Sequence, residues 1–576
     1  MMRLYAVLVA FLAMAFVPAA AAEAARPYQV LSAEDAALYA EIFALQADGR
    51  FSAADEKIAA VKDKVLMGYV RMDRLLHPSR RATYDELREW MAYYADHPDA
   101  DKIYALALKR RPKAGVPPLA PVRRKWRTEY SPPLHPALER DYAETSRPRL
   151  AQIEGRVRHL AKNEEASLAL KEIDAHLKQG VITERQYDRM RSWIAASLYY
   201  QGYIARAREL AVAVADRNGD SAVLAYWIAG LIHYREGDLG AAHERFMAMA
   251  RVKEQDDALR SAAGFWASRS ALAAGKPRAV AEGLEIAANF PFTFYGQLAL
   301  AQLGRRYDFN WDMPAPSAAD FARLVEADPA IRRAVALVEA GRVNEGDLEF
   351  RWINGRIDDA LAEKLLALEH ALGLPAAELD LALHYRGRNF EPGLFPLPSF
   401  QPEKGFTADP ALIYALMRQE SKFKIEATSR VGARGLLQLM PRTASYMAGD
   451  KSLRSAKGRD KLYDPALNLA IGQDYVNHLI ETTAGGDLFD MAVAYNGGPG
   501  NLRRWKREVA IDDQLLFIES IPNPESRDFV EKVLTNYWIY RQRLGLPPLS
   551  RDRVASGQLP LYDALDEISS ARAGGR

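Results

Sequence analysis

Apolar residues recur three or four positions apart through most of residues 30 to 395, in a background of Ala, Leu, Arg and Glu, and strict apolar–polar alternation is rare. This spacing predicts amphipathic helices rather than strands. A weaker repeat runs through it. Gly237, Ala242 and Phe246 stand at offsets of five and nine, and the same offsets join Gly275, Val280 and Leu284, then Gly202, Ala207 and Ala211, and also Gly49, Ala54 and Ile58. Each set reads as a helix, a turn containing glycine and a second helix whose small residue permits close packing. Gly202, Gly237 and Gly275 are 35 and 38 residues apart, near the period of about 34 for tetratricopeptide hairpins. Stacked helical hairpins, a solenoid, are therefore expected.

The pattern breaks twice. Between Lys109 and His135 lie eight Lys or Arg and six Pro, with Trp126 among them; the stretch reads as a solvated basic loop, with contact to an anionic polymer as the alternative. Arg386 to Pro402 is rich in Pro and Gly and cannot continue a helix. A new domain should begin there. The expected organisation is a leader at 1–22, a superhelical solenoid with linker at 23–395, a second helical domain at 396–549 and a tail at 550–576, frayed apart from an apolar piece near Leu559 to Leu565.

Helical spacing in the second domain carries polar groups to element ends. Asp409 is an N-cap candidate, Pro410 suits the first helical position, and Leu412, Leu416 and Glu420 follow four apart. A carboxyl group thus lies in line with a core-facing stripe. A loop follows from Ser429 to Met440, in which Gly432 and Gly435 permit turns and Gln438 offers an amide between apolar neighbours. Leu488 to Tyr495 reads as a helix stopped by Asn496 and Gly497, and Asn523 and Pro524 open the last long helix with Glu525 in its first turn.

Composition changes the picture at few points. The 576 residues are too many for one core. A net charge of +2 argues neither for nor against a polyanionic partner. Met1 to Tyr5, the apolar run Ala6 to Val17, Pro18 and the small residues to Ala22 have the order of a secretory signal peptide, so an exported, periplasmic protein without a membrane span after cleavage is expected. Export makes nucleic acid an unsuitable partner. The absence of cysteine excludes disulfides, thiol catalysis and Cys-ligated zinc. His478 is the one histidine in residues 396–549; no metal site is expected, and no nucleophile elbow accompanies it.

Glu420, held against Leu416 and Met417 at a pocket edge, should have a raised pKa and serve as a general acid. Glu525, in a helix first turn, sits where the macrodipole favours its charged form. Taken singly, each also reads as an ordinary helix-end acid, and Tyr495 as a core residue. Whether the two carboxylates meet is not legible from spacing.

Arg418-Gln-Glu-Ser421, Gly435-Leu-Leu-Gln-Leu-Met-Pro441, Ala494-Tyr-Asn-Gly-Gly-Pro-Gly500 and Ile521-Pro through Glu525-Ser-Arg527 together, in this order, resemble the catalytic domain of the lytic transglycosylases, bacterial peptidoglycan-cleaving enzymes related to goose-type lysozyme. Gly497 stands where Ala is usual and Leu437 where Met is common. The resemblance, with the solenoid and leader, is to the soluble periplasmic branch, in which a doughnut of helical hairpins carries the catalytic domain. It implies an all-α protein that cleaves the bond between N-acetylmuramic acid and N-acetylglucosamine and leaves 1,6-anhydro ends. Glu420 would be the sole acid/base, assisted by the substrate's acetamido group. Ser429, Gln438, Met440, Tyr495, Asn496 and Glu525 would bind substrate, without a cofactor. It also implies peptidoglycan strands as the partner and makes the solenoid a candidate docking face for cell-wall synthesis or remodelling proteins. A hydrolytic muramidase using the same Glu420 and a catalytically inactive glycan-binding scaffold are the alternatives.

Overall fold

A computed structural model describes residues 26–123, 134–385 and 387–563. The expected leader, the loop residues 124–133 and the last residues of the tail lie outside the described residues. Among those described, every regular element is helical, and the only strand-like features are three isolated bridges. The all-α expectation is met. Arg111 and Lys113, in the described part of the basic stretch, are exposed and follow the end of helix Ala100–Arg110.

The chain forms two compact units, one of residues up to Val122 with Ala315–Gly346, the other of Arg123–Pro314 with the chain from Asp347 onward. In the first, helices Ala33–Ala47 and Phe51–Ala60 make one hairpin and Tyr84–Tyr94 and Ala100–Arg110 another. Their apolar faces close over Tyr39, Ile42, Leu66, Leu87, Trp90 and Ile103. Thr83 and Glu86 form a reciprocal capping box that starts the second pair. Glu339 receives the backbone N–H groups of Val30 and Leu31 at 3.0 and 2.7 Å, tying the start of the described chain to helix Ala330–Glu339.

In the second unit the repeat positions do what their spacing predicts. Gly202, Gly237 and Gly275, like Gly49 in the first unit, have φ between 69° and 85°, the left-handed turn that separates paired helices. Ala207 and Ala242, five residues on, are fully buried, as are Ala211 and Phe246. Val280 departs from this and is only partly buried, because Pro277 opens a short 3-10 turn before its helix. Trp266 gathers the edges of Trp227, Tyr234 and Tyr295 around it. This unit extends across residue 396, so the hairpins before that point and the helices after it share it.

Helices Pro410–Glu420, Leu488–Gly497 and Pro524–Arg543 pack together over Leu412, Leu416, Met491, Val533 and Tyr537, all fully buried. Asp409 caps the first of them by accepting from Ala411 N at 2.9 Å. It also accepts from Tyr537 Oη at 3.0 Å and Arg541 Nη1 at 2.7 Å, a buried ion pair. The tail is more ordered than its composition suggests up to Asp563. Helix Leu549–Ala555 forms, Leu488 N donates to Pro560 O at 3.0 Å, and Tyr562 Oη accepts from Asp409 N at 2.8 Å. As far as Asp563 the piece is held by these hydrogen bonds and not by its leucines, since Leu559 and Leu561 are exposed.

Candidate active site

Helix Pro410–Glu420 stops at Glu420 because the chain turns sharply behind it. Ser421 N and Ser421 Oγ both donate to Met417 O at 3.1 Å, and Lys422 and Phe423 adopt φ of 51° and 62°. Two successive side-chain-bearing residues in the left-handed region are costly and persist only where surroundings hold them. Phe423, buried to 1% exposure, is that anchor. Arg418, in the preceding turn, donates to Leu394 O at 2.7 Å and Asn536 Oδ1 at 2.9 Å, with its guanidinium over Phe395, so it holds the helix and does not face the carboxyl as a counter-charge.

Glu420 is partly buried and makes no hydrogen bond or ion pair with another described residue. Burial, and then the negative charge of Glu525, push its carboxyl up to about 8. A carboxyl in this range is protonated at neutral pH and able to donate. The structure thus brings together the two acids that spacing left apart. Glu525 is exposed in the first turn of helix Pro524–Arg543, whose N-cap Asn523 accepts from Glu525 N at 2.8 Å and Ser526 N at 3.2 Å.

Tyr495 and Asn496 complete the corner. Tyr495 Oη donates to Leu437 O at 2.7 Å, and its ring lies between Tyr475 and Phe529, stacked on the latter at 6.0 Å. Burial and the nearby Glu420 raise its phenol well above the usual range, so it stays neutral. Asn496 Nδ2 donates to Glu525 Oε1 at 3.4 Å, while Asn496 Oδ1 accepts from Ser526 Oγ at 2.6 Å. The amide therefore links two helix ends and orients Glu525. A methyl group at Gly497 would approach the Trp505 ring to 3.0 Å, a tight contact that needs the ring to give by a few tenths of an ångström.

Ser429 and Gln438 turn out to shape the loop. Ser429 Oγ accepts from Ala433 N at 3.0 Å. Gln438, at φ 46°, donates its amide to Ala427 O at 3.1 Å and Gly435 O at 2.8 Å. Met440 is 39% exposed at the start of helix Pro441–Met447. None of these three makes a hydrogen bond to Glu420.

Sequence reasoning missed Asn468. Fully buried, it donates to Arg434 O and Leu462 O at 3.1 and 2.8 Å and accepts from Leu437 N at 2.9 Å, pinning the loop against helix Pro465–Leu479. Its one signal is position, a polar residue on the apolar stripe of that helix. Gly435 is required by the same contact: at φ 77°, an added Cβ would lie 2.2 Å from Leu462 O and 2.3 Å from Asn468 Nδ2. Gly435→Ala is expected to destabilise the protein by about 3 kcal/mol. Denaturant unfolding checks this, and an unchanged midpoint would contradict it.

Residues 398–518 match the family described as "Transglycosylase SLT domain". The chain carries a transglycosylase SLT domain. The matched span holds Glu420, the loop, Tyr495 and Asn496 and ends before Glu525. Over 262 residues the chain is 29% identical to the soluble lytic murein transglycosylase of Escherichia coli (strain K12), covering 44% of this chain and 40% of that one. A protein of the same description from Salmonella typhimurium is 29% identical over 41% of this chain and 33% of its own length. The chain thus spans less than half the length of these relatives in the matched region. Among solved structures, the 70 kDa soluble lytic transglycosylase of E. coli superposes with a TM-score of 0.55 at 17% identity, covering 89% of this chain and 97% of that one. An inactive mutant of the Pseudomonas aeruginosa lytic transglycosylase gives 0.55 at 19% identity over 88% and 97%. These likenesses show the fold, an all-helical chain over most of its length.

Proposed function

We propose that this protein is a peptidoglycan lytic transglycosylase, exported to the periplasm, with residues 396–549 as its catalytic domain. Glu420 carries the reading: a carboxyl kept protonated by burial and a neighbouring charge, at a helix end beside Tyr495, Asn496 and Glu525, inside a matched SLT domain. It would give its proton to the glycosidic oxygen between N-acetylmuramic acid and N-acetylglucosamine as the C1–O bond breaks. The carboxylate so formed would take the proton of the muramoyl 6-hydroxyl as O6 bonds to C1. The proton returns to Glu420 and no water is consumed. The substrate's acetamido group stabilises the developing cation, so the site needs no second carboxylate as nucleophile. Ser429, Gln438, Met440, Tyr495, Asn496 and Glu525 are assigned to the groove that holds the strand, the first two by shaping its loop. No described helix is long and apolar enough to cross a membrane.

Digestion of purified peptidoglycan sacculi followed by mass spectrometry tests this. Soluble fragments ending in 1,6-anhydro-N-acetylmuramic acid are expected. Fragments with reducing ends alone would make the protein a hydrolase, and no release by the intact protein would make it a binding scaffold.

A further inference from the structure

Glu525 is reached through a short segment, Glu519 to Arg527, that leaves helix Gln514–Ser520 and enters helix Pro524–Arg543. Two helices of the hairpin region touch this segment with polar groups. From helix Phe294–Gln302, Tyr295 Oη donates to Glu519 Oε1. From helix Glu184–Tyr200, Tyr199 Oη hydrogen-bonds with Ser520 Oγ at 2.8 Å, and the Arg527 guanidinium lies 3.6 Å from the ring centroid of Tyr200. Arg527 also donates to Ile521 O, closing the segment on itself. Pro522 and Pro524 restrict the backbone between these points. Glu525 sits inside this clamp, between Ser520 and Arg527.

Resting on the transglycosylase reading, we propose that Tyr199, Tyr200 and Tyr295 are positioning residues for Glu525, so that the hairpin region helps to build the catalytic corner. Packing alone would not call for this arrangement. Burying Glu519 is costly unless the group is held, and apolar residues would join the helices without that cost. Burial lifts Glu519 to about 7 and Glu531, one helix turn beyond Arg527, well above the carboxylate range, so the facing pair keeps a proton and Glu519 stays bound to Tyr295. The hydroxyls of Tyr199 and Tyr295 and the ring of Tyr200 thereby fix the distance of Glu525 from Glu420.

The pH dependence of anhydro-fragment release reads this distance. Glu420 is faced by Glu525 from helix Pro524–Arg543 and by the neutral Tyr495 from helix Leu488–Gly497. If Glu525 recedes, less negative charge opposes ionisation of Glu420, and the alkaline limb of the rate moves down. Tyr295→Phe is expected to lower that limb by about half a pH unit and to raise KM about threefold, with the folded state retained. Tyr199→Phe should act in the same direction. In a Glu525→Gln background, Tyr295→Phe should no longer move the limb, because the charge it displaces is gone. Folded Tyr295→Phe and Tyr199→Phe proteins with wild-type limb and KM would overturn the proposal. So would loss of folding in both, which would make the hydroxyls supports of global stability. Wild-type protein that cleaves no glycan would instead sink the functional reading itself.

Discussion

Glu420→Gln lowers glycan cleavage by about a thousandfold or more and at the same time makes the folded protein more stable at pH 7. The first effect follows from removing the carboxyl that the proposed mechanism uses as acid and base; general acid–base groups contribute in this range. The second follows from the raised pKa. A carboxyl that titrates near 8 in the fold and near 4.5 unfolded binds an extra proton in the native state between those values. Native stability therefore falls, relative to a neutral side chain, as pH rises from about 4.5, and levels off above about 8. At pH 7 the amide is expected to gain about 3 kcal/mol, with almost no gain at pH 4. Thermal unfolding at the two pH values, alongside sacculus digestion, checks both halves. A variant with wild-type cleavage would remove Glu420 from the chemistry, and one stabilised equally at pH 4 and 7 would remove its electrostatic explanation.

Asp409→Ala has the largest expected cost to folding, about 4 kcal/mol. The substitution deletes the N-cap of the helix that carries Glu420 and leaves the Arg541 guanidinium, 2% exposed, without its ion-pair partner. Removing one member of a buried pair strands an uncompensated charge, and loss of the cap adds to this. Tyr537 loses its carboxylate acceptor at the same point. Denaturant midpoints of Asp409→Ala and of the double variant Asp409→Ala/Arg541→Met decide it. The double variant should recover part of the loss, because the stranded charge is gone. Equal midpoints for the single variant and the wild type would show that the pair contributes nothing net.

Both expectations begin at Asp409 and Glu420, the ends of one helix, and the two ends were legible to different degrees. Asp409, Pro410 and the Leu412–Leu416 stripe announce a capped helix with a buried face, since capping and periodicity are local. The hairpin glycines were legible for the same reason: a left-handed turn is written in a single residue type. What gives Glu420 its acidity is not local. Glu525 lies more than a hundred residues away in sequence, and its approach is set by helix packing and by Asn496 and Ser526. Asn468 was hidden because its hydrogen bonds go to backbone atoms, two of which, those of Arg434 and Leu437, lie in a loop about thirty residues away. The docked tail was expected from its apolar residues, but its contacts were not legible, because they are hydrogen bonds of Pro560 and Tyr562 to distant backbone atoms. Gln438 and Ser429 were found by pattern, yet the structure gives their hydrogen bonds to the loop itself, a role that a residue type cannot reveal.

Glu420 can act as the proposed acid only if its surroundings hold it protonated. Carbon-13 NMR of protein labelled at the glutamate side-chain carboxyls, assigned by comparison with Glu420→Gln and titrated through the neutral range, measures this directly. A Glu420 resonance titrating near 8, and lower in Glu525→Gln, is the expected result. A midpoint near 4.5 in the folded wild-type protein would contradict it.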